Sequence, residues 1–198
     1  AARQKEPHLA RAVTGAIFSK LDHQVDDRKV ATALRAAYLA AGGVLREHLA
    51  VDEALISDRR VTGVRAGDEH IAADAIVLAA GAWSRNLAGI PDIARPPVRP
   101  LKGQMLSVAM DPRNPLLEHV IWGPGNGIVP GVYLAPKGDN RLIIGATVEE
   151  MGFNTEMTAG GMFELLRAAW EMLPGIYDLP ILESWAGLRP ASRDDAPI

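Results

Sequence analysis

Beyond residue 98 the apolar runs of this sequence are separated by short turns and not by helices. Met105 to Ala109, Ile128 to Ala135 and Leu142 to Val148 alternate or stay apolar, and MDPRN (110–114), GPGNG (123–127) and PKGDN (136–140) break them. Parallel neighbours need a crossover of about a dozen residues, whereas antiparallel ones close over a tight turn. Residues 98–187 are therefore expected to form a mostly antiparallel sheet. One helix is expected there, over 158–173, because Met162, Phe163, Leu166, Ala169, Trp170 and Leu173 share a face and Pro174 stops it. It should lie across the sheet.

The first half has a different rhythm. Val30, Leu34, Ala37, Tyr38 and Ala41 fall on one helical face, Asp26 or Asp27 can cap its start, and Gly42 and Gly43 can end it, which predicts a helix over 27–41. Short extended runs follow at Val44 to Arg46, Val51 to Ile56, Val61 to Arg65 and His70 to Ala72, divided by SDRR (57–60) and AGDE (66–69), as in a small meander. Ala75 to Ala80 is apolar on both faces and ends in Gly81, with Ser84 placed to cap a helix turn. That pattern suits a central strand feeding a ligand site, or merely a buried strand. Pro91, Pro96, Pro97 and Pro100 then mark a lobe boundary near residue 97. The expected class is α/β of the α+β kind, with a partial first lobe beside a helix-covered antiparallel sheet.

Composition narrows the function. A formal net charge of -3 with no long basic run argues against an electrostatic grip on nucleic acid or an anionic membrane, so a small-molecule partner is expected. No cysteine is present, which removes thiolate metal sites and cysteine nucleophiles. His8, His23, His48, His70 and His119 are scattered without metal-ligand spacing and read as surface residues. The longest apolar run, Ala75 to Trp83, is far short of the about 20 residues that span a bilayer, and the start carries no secretory pattern. The chain reads as cytoplasmic.

Few residues point to chemistry. GPGNG lacks the spacing of a phosphate-cradling loop and reads as a hairpin turn. Glu149 and Glu150 stand at a strand end and read as solvated loop charges. In ESWAGLRPASRDDAPI (183–198), Arg189 follows an apolar run and precedes Pro190, a partly buried strand end where a guanidinium needs an anion. Its planar fork matches a substrate carboxylate; an ion pair with Asp194 or Asp195 is the structural alternative. Tyr133, midway along an expected strand, offers a hydroxyl to a ligand or to a core carbonyl, and by itself reads as core.

DHQVDDR (22–28), IVLAAGAWS (76–84), RPLKGQML (99–106), RLIIGATVEEMGF (141–153), TAGG (158–161) and WAGLRP (185–190) together resemble successive landmarks of the glycine oxidase (ThiO-type) family, within the D-amino-acid oxidase superfamily. Their order and spacing match over nearly the whole chain. The resemblance implies a two-domain flavoenzyme in which FAD takes a hydride from the carbon bearing the amine, giving an imine that hydrolyses and a flavin that O2 reoxidises. It implies that Arg189 binds the substrate carboxylate, that Tyr133 lines the same pocket, and that Val148 stands where the family often has Met. On the flavin side it implies a backbone contact at Val51 and a strand end beside the cofactor at Ala80, Gly81 and Trp83. No residue of this chain is assigned as catalytic in the bond-breaking sense. The corresponding domains are a substrate-domain segment at 1–25, a partial FAD-binding domain at 26–97, a substrate-binding domain at 98–187, and a return to the FAD-binding domain at 188–198.

The family's GxGxxG loop with its following acidic residue, and its HxRNGILLAP-like stretch, have no counterpart here, and Asp194 and Asp195 stand where Asp-Gly commonly follows WAGLRP. The chain is thus expected to be an interior piece that holds FAD poorly or not at all, since pyrophosphate binding at a helix N-terminus is missing. An unsupported strand edge in the 27–80 segment is expected to pair with a second copy, giving a homo-oligomer, or with complementary chain segments. Two other readings stand beside the glycine oxidase one, with its link to thiamine thiazole synthesis. One is a non-catalytic domain that binds a small carboxylate or a protein, and the other is a flavoenzyme acting on sarcosine, a longer D-amino acid or another secondary amine.

Overall fold

The computed structural model describes residues 2–194 and 196, and of Asn126 the backbone alone. The chain divides into two compact units, Ala1–Asp27 with Lys102–Leu188, and Arg28–Leu101 with Arg189–Ile198. In chain order the helices are α1 (Ala2–Lys5), α2 (Asp27–Ala40) and α3 (Ala159–Met172); the strands are β1 (Glu53–Ser57), β2 (Arg60–Ala66), β3 (Glu69–Ala72), β4 (Arg99–Ala109), β5 (Ile121–Asn126), β6 (Val129–Pro136), β7 (Arg141–Gly145) and β8 (Ile181–Ala191). A five-stranded sheet runs β5-β6-β7-β4-β8, and β1-β2-β3 form a smaller one. Every strand pair with a described register is antiparallel, as the short turns require. Pro190 lies in β8, an edge strand, where a residue with no N–H to donate is tolerated.

The core of the larger sheet lies on one face. Leu106 and Val108 of β4, Val132 and Leu134 of β6, and Leu142 and Ile144 of β7 pack against Leu165, Ala168, Ala169 and Met172 of α3. The helix starts where Thr158 Oγ1 accepts from Gly161 N at 3.0 Å. Its buried face overlaps the one expected: Ala169 and Leu173 are buried and Met162 and Leu166 pack against the core, but Leu165 and Ala168 also point inward, whereas Phe163 and Trp170 are about half exposed. Small residues allow the close approach, and the Phe163 ring instead sits 5.9 Å from the Arg167 guanidinium.

Several expected elements are rearranged. GPGNG does not turn as a whole: Gly123 to Asn126 continue β5, and the reversal is confined to Gly127, with φ 54, and Ile128. The run Leu142 to Val148 ends as a regular strand at Gly145. Val44 to Arg46 is not a strand; Arg46 is anchored by two bonds to the Glu69 carboxylate, at 2.6 and 2.7 Å. Those bonds, with Arg46's charge, hold the Glu69 carboxyl below its ordinary range. Ile76 to Ala80 belongs to neither sheet, because no described strand donates or accepts a ladder of bonds beside it. Ser84 caps nothing; it is buried inside a tight helical turn, Gly81–Asn86. His119 is exposed, as expected, but tied to the interior: its Nδ1 lies 2.6 Å from the buried Glu6 carboxylate, which also accepts from the His119 N–H at 2.7 Å. No described helix is long and apolar enough to cross a membrane.

Candidate functional site

Cross-strand register, which sequence spacing cannot supply, builds the first group of residues. Trp122 pairs with Tyr133, Tyr133 with Gly145, and Gly145 with Met105, so the four form a row across β5, β6, β7 and β4. Side chains alternate along a strand, and the neighbours Leu134, Ile144 and Leu106 face α3; the row therefore occupies the opposite face. The Tyr133 ring lies directly over Gly145, where a Cβ would stand 2.5 Å from its Cζ and hydroxyl. Its hydroxyl donates to Met105 Sδ at 3.5 Å, and Trp122 leans on it with ring centroids 5.0 Å apart. Tyr133 is thus half-buried, not core, with its polar tip on a face that also carries an exposed indole.

Val148 lies three residues beyond the end of β7 at Gly145. Its N–H donates to Ile128 O at 2.7 Å, and its side chain is exposed. The residues on either side turn inward. Thr147 is fully buried and its hydroxyl donates to Glu149 Oε1 at 2.5 Å, while Gln104 Nε2 donates to the same oxygen at 2.8 Å. Glu149 is therefore not a solvated loop charge. Lys102, also fully buried, donates from Nζ to Glu156 O at 2.5 Å. Lys102, Gln104 and Thr147 fall inside the quoted motifs RPLKGQML and RLIIGATVEEMGF, but periodicity gave them no role, because polar residues at inward strand positions look like breaks in an alternation.

The flavin-side candidates lie in the other unit. Ala88 N donates to Asp52 O at 3.2 Å and Ala54 N to Ala88 O at 2.9 Å, which ties the segment after the Gly81–Asn86 turn to the start of β1, next to Val51. Gly89 makes this approach, with φ 78 and no room for a Cβ against the Ala54 carbonyl. Val51, Ala80, Gly81 and Trp83 are all exposed, and Gly81 has φ 55 with open space where a Cβ would project. Arg189 in β8 is exposed as well, not partly buried as its setting before Pro190 suggested; Asp195, one of its two candidate ion-pair partners, lies outside the described residues. No group of three or more His, Asp or Glu that could hold a metal is found among the described residues.

The profile of the FAD dependent oxidoreductase (DAO) family matches residues 1–198. This chain belongs to that family. Among curated relatives of this chain, the bifunctional protein ThiO/ThiG of Trichormus variabilis is 36% identical over 197 residues, covering 98% of this chain and 28% of its own length. The glycine oxidase of Pseudomonas putida is 34% identical, over 100% of this chain and 52% of its own. In structure, the glycine oxidase from Geobacillus kaustophilus matches with a TM-score of 0.86 at 34% identity, over 99% of this chain and 50% of that one. The chain thus spans about half or less of the length of these relatives. In this chain the Gly81 turn, with φ 55 and nothing within 4 Å of a Cβ position, leaves its backbone open to a flat group. Anion binding is not favoured at the start of α2, whose first turn carries Asp27.

Proposed function

We propose that the full-length protein oxidises the C–N bond of glycine or a related small amino acid to an imine with O2 as acceptor, and that Arg189, Tyr133 and Val148 form its amino-acid site. The observation that carries this reading is Tyr133: an aromatic hydroxyl on the sheet face away from α3, held over Gly145 and against Trp122. A hydroxyl so presented can donate to a substrate carboxylate oxygen, while the half-buried ring excludes water from one side. Arg189 supplies a planar, permanently charged fork for the same carboxylate. FAD, when bound, accepts the hydride; Val51, Ala80, Gly81 and Trp83 would hold it, the glycine by leaving its backbone open to the ring. The imine product is of the kind that thiamine thiazole assembly consumes, which the ThiO/ThiG similarity supports.

A second reading, a longer D-amino acid or a secondary amine such as sarcosine as substrate, is favoured by Val148, which is smaller than Met and 39% exposed, leaving room beside it. Steady-state kinetics on glycine, sarcosine and D-alanine with the full-length, FAD-loaded protein tests both readings. Losing a charged bidentate bond costs on the order of 2 to 5 kcal/mol, so Arg189→Ala is expected to lower kcat/KM by roughly 30-fold or more, with Arg189→Lys recovering part of it. Tyr133→Phe removes one neutral bond, about 0.5 to 1.5 kcal/mol. An Arg189→Ala enzyme with unchanged kcat/KM on all three substrates would remove the site assignment, and a full-length protein that binds no flavin would return it to a non-catalytic binding role.

A further inference from the structure

We propose that Gln104 is a positioning residue that sets where Val148 stands, and so sets which amine substituents the site accepts; this rests on the reading of Val148 as substrate-lining. Gln104 is fully buried in β4, a placement unfavourable for an amide unless both of its ends are satisfied. Both are. Its Nε2 donates to Glu149 Oε1 at 2.8 Å and to Thr158 Oγ1 at 3.0 Å, and its Oε1 accepts from Thr158 N at 2.8 Å. The slot it fills is cut to size, since a Cβ at Gly161 would collide with the amide. One side chain thereby joins β4, the segment after β7 and the N-terminus of α3.

The consequence falls on Val148. Thr147 is bound to the Gln104 backbone twice, its Oγ1 accepting from Gln104 N at 2.8 Å and its N–H donating to Gln104 O at 3.2 Å. Glu149 is bound to the Gln104 amide by its carboxylate, and to Lys102 through a pair of backbone bonds of 2.9 and 3.0 Å. Residues 147 and 149 thus point toward β4, and alternation turns the side chain of 148 the other way. Its own backbone bond among the described residues is from its N–H to Ile128 O, at the tip of the β5–β6 hairpin. Without the amide, the carboxylate of Glu149 keeps only the Thr147 hydroxyl among these partners, and the segment around Val148 loses its brace to α3 while its backbone bonds to Gln104, Lys102 and Ile128 stay.

The test uses the full-length, FAD-loaded protein and reads kcat and KM on glycine and D-alanine, with the melting temperature alongside. Gln104→Met keeps the volume and removes the amide; Thr147→Val keeps the shape and removes the hydroxyl, and it decides the matter if Gln104→Met yields no folded flavoprotein. Both are expected to shift the ratio of the two kcat/KM values by roughly fivefold or more, mainly through KM, because the change alters ground-state fit. Thr147→Ser should restore the wild-type ratio. Lower melting temperatures with an unchanged ratio in both variants would overturn the proposal and leave the network a scaffold for α3. Val148→Ala separates the two layers of the argument. If it moves the ratio while Gln104→Met and Thr147→Val do not, the positioning role falls and the site reading survives; if it too leaves the ratio unchanged, Val148 is not substrate-lining and both fall.

Discussion

At single positions the useful evidence is what a residue cannot be replaced by. A methyl group at 145 would stand 2.5 Å from the Tyr133 ring, so Gly145→Ala must push the tyrosine off its seat. Overpacking of this kind costs about 1 to 3 kcal/mol, and the displaced hydroxyl should also raise KM for glycine; thermal unfolding and steady-state kinetics on the same preparation read the two effects. Ser107 is the opposite case. It is fully buried, and its hydroxyl has no hydrogen-bond partner among the described residues. An unsatisfied buried hydroxyl is costly, so Ser107→Ala is expected to leave the melting temperature unchanged or raise it, and a clear loss of stability would mean that the hydroxyl has a bonding role. Neither position stands out in the sequence, where glycine and serine in a strand look like weak points.

Among the elements, α3 shows how far periodicity reaches. Its span was legible to within a residue at each end, because Pro174 and the Thr158 cap are local signals, but its buried face was read off by part of a turn. Phe163 and Trp170 are more hydrophobic by residue type than Ala168, yet the close sheet approach favours the smaller side. Leu165 is wholly buried in this contact, and Leu165→Ala should cost about 2 to 5 kcal/mol in denaturant unfolding, where Phe163→Ala should cost far less. The β6–β7 turn gives a pH prediction. Burial by itself would raise the Asp139 carboxyl, but side-chain and backbone hydrogen bonds from Arg141, with its charge, outweigh that and hold it below the ordinary value. A depressed folded-state value contributes stability above the unfolded value of about 3.9, lost as pH falls through the folded one. Asp139 is 40% exposed, so the contribution is at most about 1 kcal/mol. Asp139→Asn should therefore lower the melting temperature slightly at pH 7, with the difference from wild type closing below about pH 4 and not between pH 5 and 8.

For the molecule as a whole, the two units differ in how well they cover their own apolar surface. The 102–188 unit has a continuous core under α3. In the 28–101 unit, α2 has no buried residue, and Val30, Leu34, Tyr38 and Leu39 are all exposed, Leu34 by 65%. Contiguous exposed apolar residues on a helix favour association. The polypeptide 1–198 expressed by itself should accordingly elute in a concentration-dependent, self-associated form. It should also be colourless, because the start of α2 disfavours the pyrophosphate and the exposed Val51, Gly81 and Trp83 enclose no ring. A yellow monomer with one FAD per chain would show instead that this unit is self-sufficient.

What the sequence determined by itself is local or follows from loop length. Antiparallel pairing follows from turns too short for a crossover, the spans of α2 and α3 from their apolar periods, caps and stops, and family membership from motifs kept in order. Only the tertiary structure decided which residues meet across strands. Register puts Trp122, Tyr133, Gly145 and Met105 in one row, and it brings Gln104 to Thr147 and Glu149 more than 40 positions away. It also withheld what periodicity suggested: Ile76 to Ala80 has strand composition but no described strand beside it, and a strand exists only when a neighbour takes up its backbone hydrogen bonds.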